Sequence, residues 1–409
     1  MARRGRDPLT SPVARAPGVA GRLLGPAFVL PFAIFWSTLD RSIVLPLVPV
    51  IAEDHGSTIV AAGMAVTVHA LAYSALQLMW GPLSTRWGRV KVLTVSTAIA
   101  AVANLLSAVA PSMTTFILAR TASGGAFAAT FAAVLTYFGD TLPLARRPAA
   151  MSNLATAAAL GLAAGTLGAG AAAQWVSWRW IFAAYAVVTG VLVLVLARLP
   201  DPGNHADEHI GAQLRSLARN RWALALFAIT ALEGFLLIGI FNFLPAALQL
   251  TGESVFVSGL VTASFGVAVV VVSQVMKLFV ARVPAWGLLL VAGLVAVAAF
   301  VALLQRITPI TVLVGAGLMG VAWALGHTTL QTWMTDAAHD SRALGMTFFS
   351  ISLMLGGAVG AAAGSFAAGH AGFGVLFGVG VAGAAAFTLT ASWGRARYRN
   401  REVEEISIR

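Results

Sequence analysis

Five side chains able to carry charge stand deep inside long apolar runs of this 409-residue chain: Asp40, Arg41, Arg120, Glu233 and His327. A lone charge at the centre of a bilayer costs roughly 2.5–3.5 kcal/mol on insertion scales, so each needs a partner or a task. Asp40 and Arg120 fall at depths that differ by only about 5 Å at helical rise, so a pair is feasible. The opposing pulls of burial and of a guanidinium can poise such a carboxylate to exchange a proton. The other reading is a static salt bridge that fixes helix packing. Glu233 and His327 sit at similar depth on two further runs. Trp323, His327 and Gln331 follow at i, i+4 and i+8 and share one helix face. In lipid such a polar and aromatic stripe is expected to face a cavity, where a histidine titrating near neutral pH accepts a proton or touches a substrate. A histidine merely hydrogen-bonded within the bundle is the alternative, and His69 reads more readily as that kind of residue. Asp40 and Glu233 are the two acids well inside the runs.

The elements that carry these residues follow from composition. Hydrophobic residues make up 59% of the chain and charged residues 10%, too few charges to keep a soluble surface of this size wet. A secreted domain, a cytosolic enzyme and a disordered chain are excluded together. Stretches of about 20 apolar residues, the length of a membrane helix, number twelve: 26–50, 59–81, 90–110, 113–137, 149–173, 181–199, 223–249, 255–281, 285–304, 308–334, 343–366 and 372–393. The first is read as a retained helix rather than a signal peptide, since no small-residue cleavage site follows it.

With the N-terminus inside, 21 of the Lys and Arg residues fall on inner segments and 2, Arg179 and Arg306, on outer loops. Arg41, Arg120 and Lys277 lie within spans. This asymmetry predicts cytoplasmic termini and accounts for the net charge of +11 without a nucleic-acid groove. The expected organisation is a cytoplasmic tail at 1–25, a six-helix bundle at 26–199, a cytoplasmic linker at 200–222, a second six-helix bundle at 223–393 and a cytoplasmic tail at 394–409. Displacing the chain by 196 residues lays Pro49 on Pro245, Arg86 on Arg282, Asp140 on Asp336 and Arg146 on Arg342 without a gap. Two halves in the same orientation imply a pseudo-two-fold axis along the membrane normal, with a site between them near mid-membrane.

Several segments resemble the major facilitator superfamily. Gly81-Pro-Leu-Ser-Thr-Arg86-Trp-Gly88-Arg89 is similar to its loop signature between the second and third helices, and Arg120-Thr-Ala-Ser-Gly124-Gly125 to an intramembrane motif of its proton-coupled exporters. Gly161-Leu-Ala-Ala-Gly165-Thr166 resembles the antiporter glycine motif, and Ser177-Trp-Arg-Trp-Ile-Phe182 a common outer-loop ending. The resemblance implies an all-α membrane protein of the major facilitator fold, on the twelve-helix drug or metabolite exporter branch. It also implies gating roles for Gly81, Arg86, Gly88, Arg89, Asp140, Gly161, Gly165 and Thr166, with Arg86 and Arg89 able to pair with Asp140. Two positions depart from the pattern: Thr85 stands where the signature has an acid, and Thr166 where the glycine motif has a proline. The glycines at spacing four, Gly161/Gly165 and Gly356/Gly360, are expected to let each half pack closely on the other.

The function expected is proton-coupled export of a small amphipathic drug or metabolite by alternating access. Asp40, Arg120, Glu233 and His327 would carry the protons, and Trp36, Arg41, Phe127, Phe241, Asn242, Trp323 and Gln331 would hold the substrate. The aromatic content suits such a ligand better than a sugar. Import of a nutrient by symport or facilitation is the competing expectation, and a non-transporting receptor or scaffold a third. The chain has no cysteine, no phosphate-binding Gly-Lys-Ser/Thr motif and no His-Glu-x-x-His, so neither an enzyme nor a metal or other cofactor is expected. Expected partners are the substrate, protons and lipid, without nucleic acid and as a monomer. Arginine and alanine richness points to the cytoplasmic membrane of a high-GC bacterium.

Overall fold

The computed structural model describes residues 25–143, 146–202, 210–279 and 282–398. Outside these lie the arginines of the N-terminal tail and Arg399, Arg401 and Arg409, and the side chains of Thr85 and Lys277 are likewise not described. Among the described residues the fold is all-helical, with twelve helices long and apolar enough to cross a membrane. They are α1 (Pro26–Asp54), α2 (Ile59–Ser84), α3 (Arg89–Ala108), α4 (Met113–Thr141), α5 (Asn153–Ala172) and α6 (Trp178–Leu196) in the first half. The second half has α7 (Arg221–Gln249), α8 (Val255–Met276), α9 (Ala285–Gln305), α10 (Pro309–Ala337), α11 (Leu344–His370) and α12 (Phe373–Arg397). The linker is less irregular than its composition suggests. It contains a helix, Ile210–Arg219, whose Leu217 is buried at 3% exposure.

The internal repeat is carried down to individual helical turns. The α1 helix breaks into a 3-10 turn at Leu45–Leu47 and α7 at Phe241–Phe243, each just ahead of a proline and displaced by 196 residues. Likewise Met113–Thr141 and Pro309–Ala337 begin and end in register. Proline removes a backbone donor and crowds the preceding turn, so Pro46 and Pro49, and Pro245 opposite them, fix where both helices bend.

Glycine seats set the helix crossings, because in lipid association depends on close packing rather than on a hydrophobic drive. A Cβ on Gly161 would strike the carbonyl of Phe35, and one on Gly165 would strike Ser42. Gly356 and Gly360 meet the carbonyls of Ala231 and Phe235 in the same way. These glycine pairs therefore pack α5 on α1 and α11 on α7, within each half, and not one half on the other as expected. Contact between the halves uses different glycines. A Cβ on Gly259 of α8 would lie 2.6 Å from the Thr166 carbonyl of α5, and one on Gly266 2.6 Å from Ala163. On the other side of the axis Gly63 of α2 abuts Ser365 and Phe243.

These contacts lie toward the face opposite the chain termini. There α1 from Ser42 to Val48 and α7 from Leu236 to Leu248 are buried on every side, and Gln249 donates to the Pro46 carbonyl at 2.9 Å. Nearer the terminal face, Ser37 and Thr38 of α1, Phe131 of α4, Gln331 of α10 and Phe348 of α11 keep partly exposed surface. At the face opposite the termini the halves meet through α5–α8 and α1–α7, and α2 and α11 also touch nearer the terminal face, where Ser350 donates to Gln77 Oε1 at 3.2 Å.

A Gly259→Leu variant should force α5 and α8 apart and loosen the end where they meet. In this cysteine-free chain, a cysteine replacing the buried Thr262 should then react with an impermeant maleimide about tenfold faster than in the Gly259 parent, equivalent to about 1.4 kcal/mol. Unchanged reactivity would show that this crossing does not hold the seal.

Candidate functional site

Asp40 and Arg120 meet in the middle of the first half. Arg120 donates from Nη1 to Asp40 Oδ1 at 3.1 Å and from Nη2 to Asp40 Oδ2 at 2.7 Å, the paired geometry that a guanidinium fork favours. It also donates to the Asp40 carbonyl at 3.1 Å and to Asn104 Oδ1 at 2.9 Å. Ser123 donates to Asp40 Oδ2 at 2.8 Å. His69 Nδ1 lies 3.3 Å from Arg120 Nη2, and since a guanidinium only donates, Nδ1 is the acceptor and the ring is neutral with its proton on Nε2. The Phe182 ring lies 5.4 Å from the Arg120 carbon Cζ.

Five helices, α1, α2, α3, α4 and α6, thus close around a charge pair that is 0% and 1% exposed. The pair sits inside the first half, away from the junction between the halves. The reason is helical phase. Trp36 shares the Asp40 face and is likewise turned inward, donating from Nε1 to Thr189 at 2.9 Å and stacking on Tyr185 of α6. Sequence reasoning underrated His69 and passed over Asn104 and Ser123. A polar residue inside an apolar run was the available signal for each of them.

The second half holds a smaller cluster. His327 Nδ1 is 3.0 Å from Glu233 Oε2, and Gln331 Nε2 is 3.1 Å from His327 Nε2. With the amide donating to Nε2, the ring proton rests on Nδ1 and is donated to the carboxylate. A flip of the Gln331 amide would offer its oxygen to a protonated Nε2, so the cluster has hydrogen bonds for both charge states of the imidazole. Glu233 is 1% exposed, and its second oxygen, Oε1, is buried with no hydrogen-bond partner. Trp323 stacks on the imidazole at 4.2 Å between centroids, and Phe349 flanks it at 5.4 Å.

Arg41 follows Asp40 in sequence, but a rotation of about 100° per residue turns it to another face of α1. It remains partly exposed and points across to the second half, with Nη1 3.5 Å from the sulfur of Met354. Met354, Leu353 and Ile238 form one apolar cluster, against which Tyr73 of α2 and Trp323 of α10 pack. Arg41 and the Trp323–His327 stack therefore border the same inter-half cluster. Phe127 and Phe241, expected at a ligand, are both 2% exposed and packed in the core, and Asn242 is 5% exposed. Of the seven side chains expected to surround a substrate, Arg41, Trp323 and Gln331 are the ones that keep partly exposed surface at the junction.

At the terminal face Arg89 donates from Nε to Asp140 at 3.1 Å and from Nη1 to the Ser84 carbonyl at 3.2 Å. Of the two arginines expected at Asp140, Arg89 makes the ion pair, while Arg86 is exposed. Helix α2 continues past Gly81 to Trp87 and stops at Gly88, whose φ of 96° suits glycine. Asp201, just after α6, accepts from the Val90 amide at 3.2 Å beside Gly88. A carboxylate thus stands at this turn although position 85 is a threonine. Thr166 bonds back to the Leu162 carbonyl at 3.1 Å, so its hydroxyl is used within α5. Among the described residues no group of three or more His, Asp or Glu is placed to hold a metal ion.

Arg120→Met should cost about 3–5 kcal/mol of stability, because it leaves a carboxylate buried without its cation. The double variant Asp40→Leu with Arg120→Met should recover much of that loss. Thermal unfolding in detergent reads both, and equal losses in the single and double variants would contradict the charge-pair account.

Comparison with known proteins agrees with this architecture. Residues 30–361 match the model of the Major Facilitator Superfamily. An MFS-type transporter of Claviceps purpurea (strain 20.1) is 27% identical over 150 residues, which is 37% of this chain and 26% of that protein's length. The chain therefore spans about a quarter of that curated relative. A bacterial homologue of the human lysosomal transporter Spinster, solved inward-facing and unoccupied, superposes with a TM-score of 0.69 at 15% identity, covering 92% of this chain and 98% of that one. The D-xylose–proton symporter superposes with a TM-score of 0.71 at 14% identity, covering 89% and 96%. At such identities the likeness is one of fold. The family match across most of the chain, carried by two six-helix halves in register, places this protein in the Major Facilitator Superfamily.

Proposed function

We propose that this transporter couples proton movement to export of a small amphipathic molecule, with Glu233 and His327 as the coupling pair. The observation that supports this reading is the buried carboxylate with one oxygen on a histidine and the other unpaired. Such a pair holds a proton in either of two places, and Gln331 can bond the imidazole in both states. Asp40 and Arg120 have a structural role in this scheme. Their charges are satisfied within one half and buried away from the junction. Each proton entering down a potential of 100 mV supplies about 2.3 kcal/mol, enough to support a gradient of more than tenfold.

Alternating access would open the α5–α8 and α2–α11 seams on one side of the membrane while the Arg89–Asp140 side closes. Charge placement favours cytoplasmic termini in a bacterial cytoplasmic membrane. A second reading, import by proton symport, draws on Thr166 at the place of the proline associated with antiport.

Reconstituted vesicles with an imposed pH gradient test the proposal. Glu233→Gln and His327→Asn should abolish gradient-driven accumulation of a substrate found by resistance screening, yet retain exchange of that substrate at equal pH. Full gradient-driven flux in Glu233→Gln would refute the coupling role. Uptake that runs with the proton rather than against it would establish the import reading.

A further inference from the structure

We infer that Arg41 receives the acidic headgroup of the substrate, so the cargo is an amphipathic organic anion. A guanidinium stays charged in a protein and is satisfied only by acceptors. The carboxylate adjacent in sequence, Asp40, is committed to Arg120 through both oxygens and is fully buried. Glu233, the other acid at this depth, is held by His327. Among the described residues Arg41 forms no ion pair within 4.0 Å, and its side-chain contact is the thioether of Met354, a weak acceptor. A charge kept at mid-membrane without a counter-ion is costly, and a ligand that brings the missing negative charge removes that cost.

The surroundings fit the rest of such a ligand. Arg41 is the last position on α1 with partly exposed surface before the fully buried turn from Ser42 to Val48, so it sits where the buried end of the junction begins. Met354 touches it, and Tyr73 and Trp323 pack on the same Met354 cluster, giving aromatic and thioether surface matched to an apolar body attached to a carboxylate or sulfonate. Arg41 and the Glu233–His327 pair then have separate tasks at one junction.

The inference rests on the transporter reading of that junction, but its test is independent of coupling. The purified full chain in detergent is titrated with benzoate, 2-naphthoate and decanoate, and with the primary amide and the methylammonium analogue of each. At least one acid should bind about tenfold more tightly than its amide and its ammonium analogue, and Arg41→Gln should lose that preference. Arg41→Lys should retain part of it. Without any ligand, Arg41→Met should melt no lower than the parent, since no partner is orphaned. The inference is overturned if no acid outbinds its amide, if Arg41→Gln keeps the preference, or if Arg41→Met is strongly destabilised. Full gradient-driven flux in Glu233→Gln, with the acid preference of the parent intact, would instead remove the coupling reading and leave this one standing.

Discussion

The first half is organised around a charge pair that cannot be left half-made. Inside a bilayer, water is not available to replace a missing partner, so Asp40 and Arg120 must meet, and all side-chain polar atoms of the pair except Arg120 Nε are served by each other or by a neighbour. Serving them recruits Asn104 from α3, His69 from α2 and Ser123 from α4, while Phe182 and Tyr185 of α6 cover the outside. Once this cluster forms, the rotation of α1 is fixed. Fixing that rotation presents Arg41 to the other half and turns Trp36 away from it.

The glycine seats complete the arrangement by setting distance where the charge cluster sets rotation. Gly161 and Gly165 bring α5 onto α1, and Gly124 brings α4 so close to α2 that a Cβ would strike the His69 backbone. The Arg120–His69 contact depends on that approach. The equivalent crossing of α11 on α7 repeats the geometry with Gly356 and Gly360, but without a charge pair between the helices. At the positions of Asp40 and Arg120 the second half has Leu236 and Ala316. Conversely, Ser37 and Phe131 occupy the places of Glu233 and His327. One scaffold is repeated and its polar residues are divided: an Asp40–Arg120 ion pair in one half, a Glu233–His327 hydrogen bond in the other.

That division gives the junction three neighbouring features with different physical tasks. The Glu233–His327–Gln331 cluster is a largely buried chain of hydrogen bonds. Arg41 keeps a constant charge. Met354, Ile238 and Leu353, with Tyr73 and Trp323 against them, form apolar surface shared by both halves. Met354 and Leu353 belong to α11, which also takes part in the seam with α2, so a ligand pressing on this cluster would bear on an element that joins the halves. Gly259 and Gly266 bring α8 within reach of the α5 backbone, and Gly63 makes room for Ser365 and Phe243 at the other seam.

The sequence by itself determined the number of spans, the division into halves, the 196-residue register and the short set of intramembrane charges. These are one-dimensional properties. A run of about 20 apolar residues must be a spanning helix, and rare charges and prolines keep their spacing through duplication. It also gave two correct pairings, Asp40 with Arg120 and Glu233 with His327, because depth along a helix follows from residue count. Tertiary structure alone decided which way each side chain turned. Helical phase relative to a neighbouring helix is not encoded in depth, so Asp40 and Arg120 could be paired from sequence without being placed inside one half. For the same reason Gly161 and Gly165 were assigned to the wrong crossing, and Phe127 and Phe241 to a ligand instead of the core. The isolation of Arg41 is the clearest case. That one of two adjacent, opposite charges is satisfied and the other is not depends on which helix each face meets.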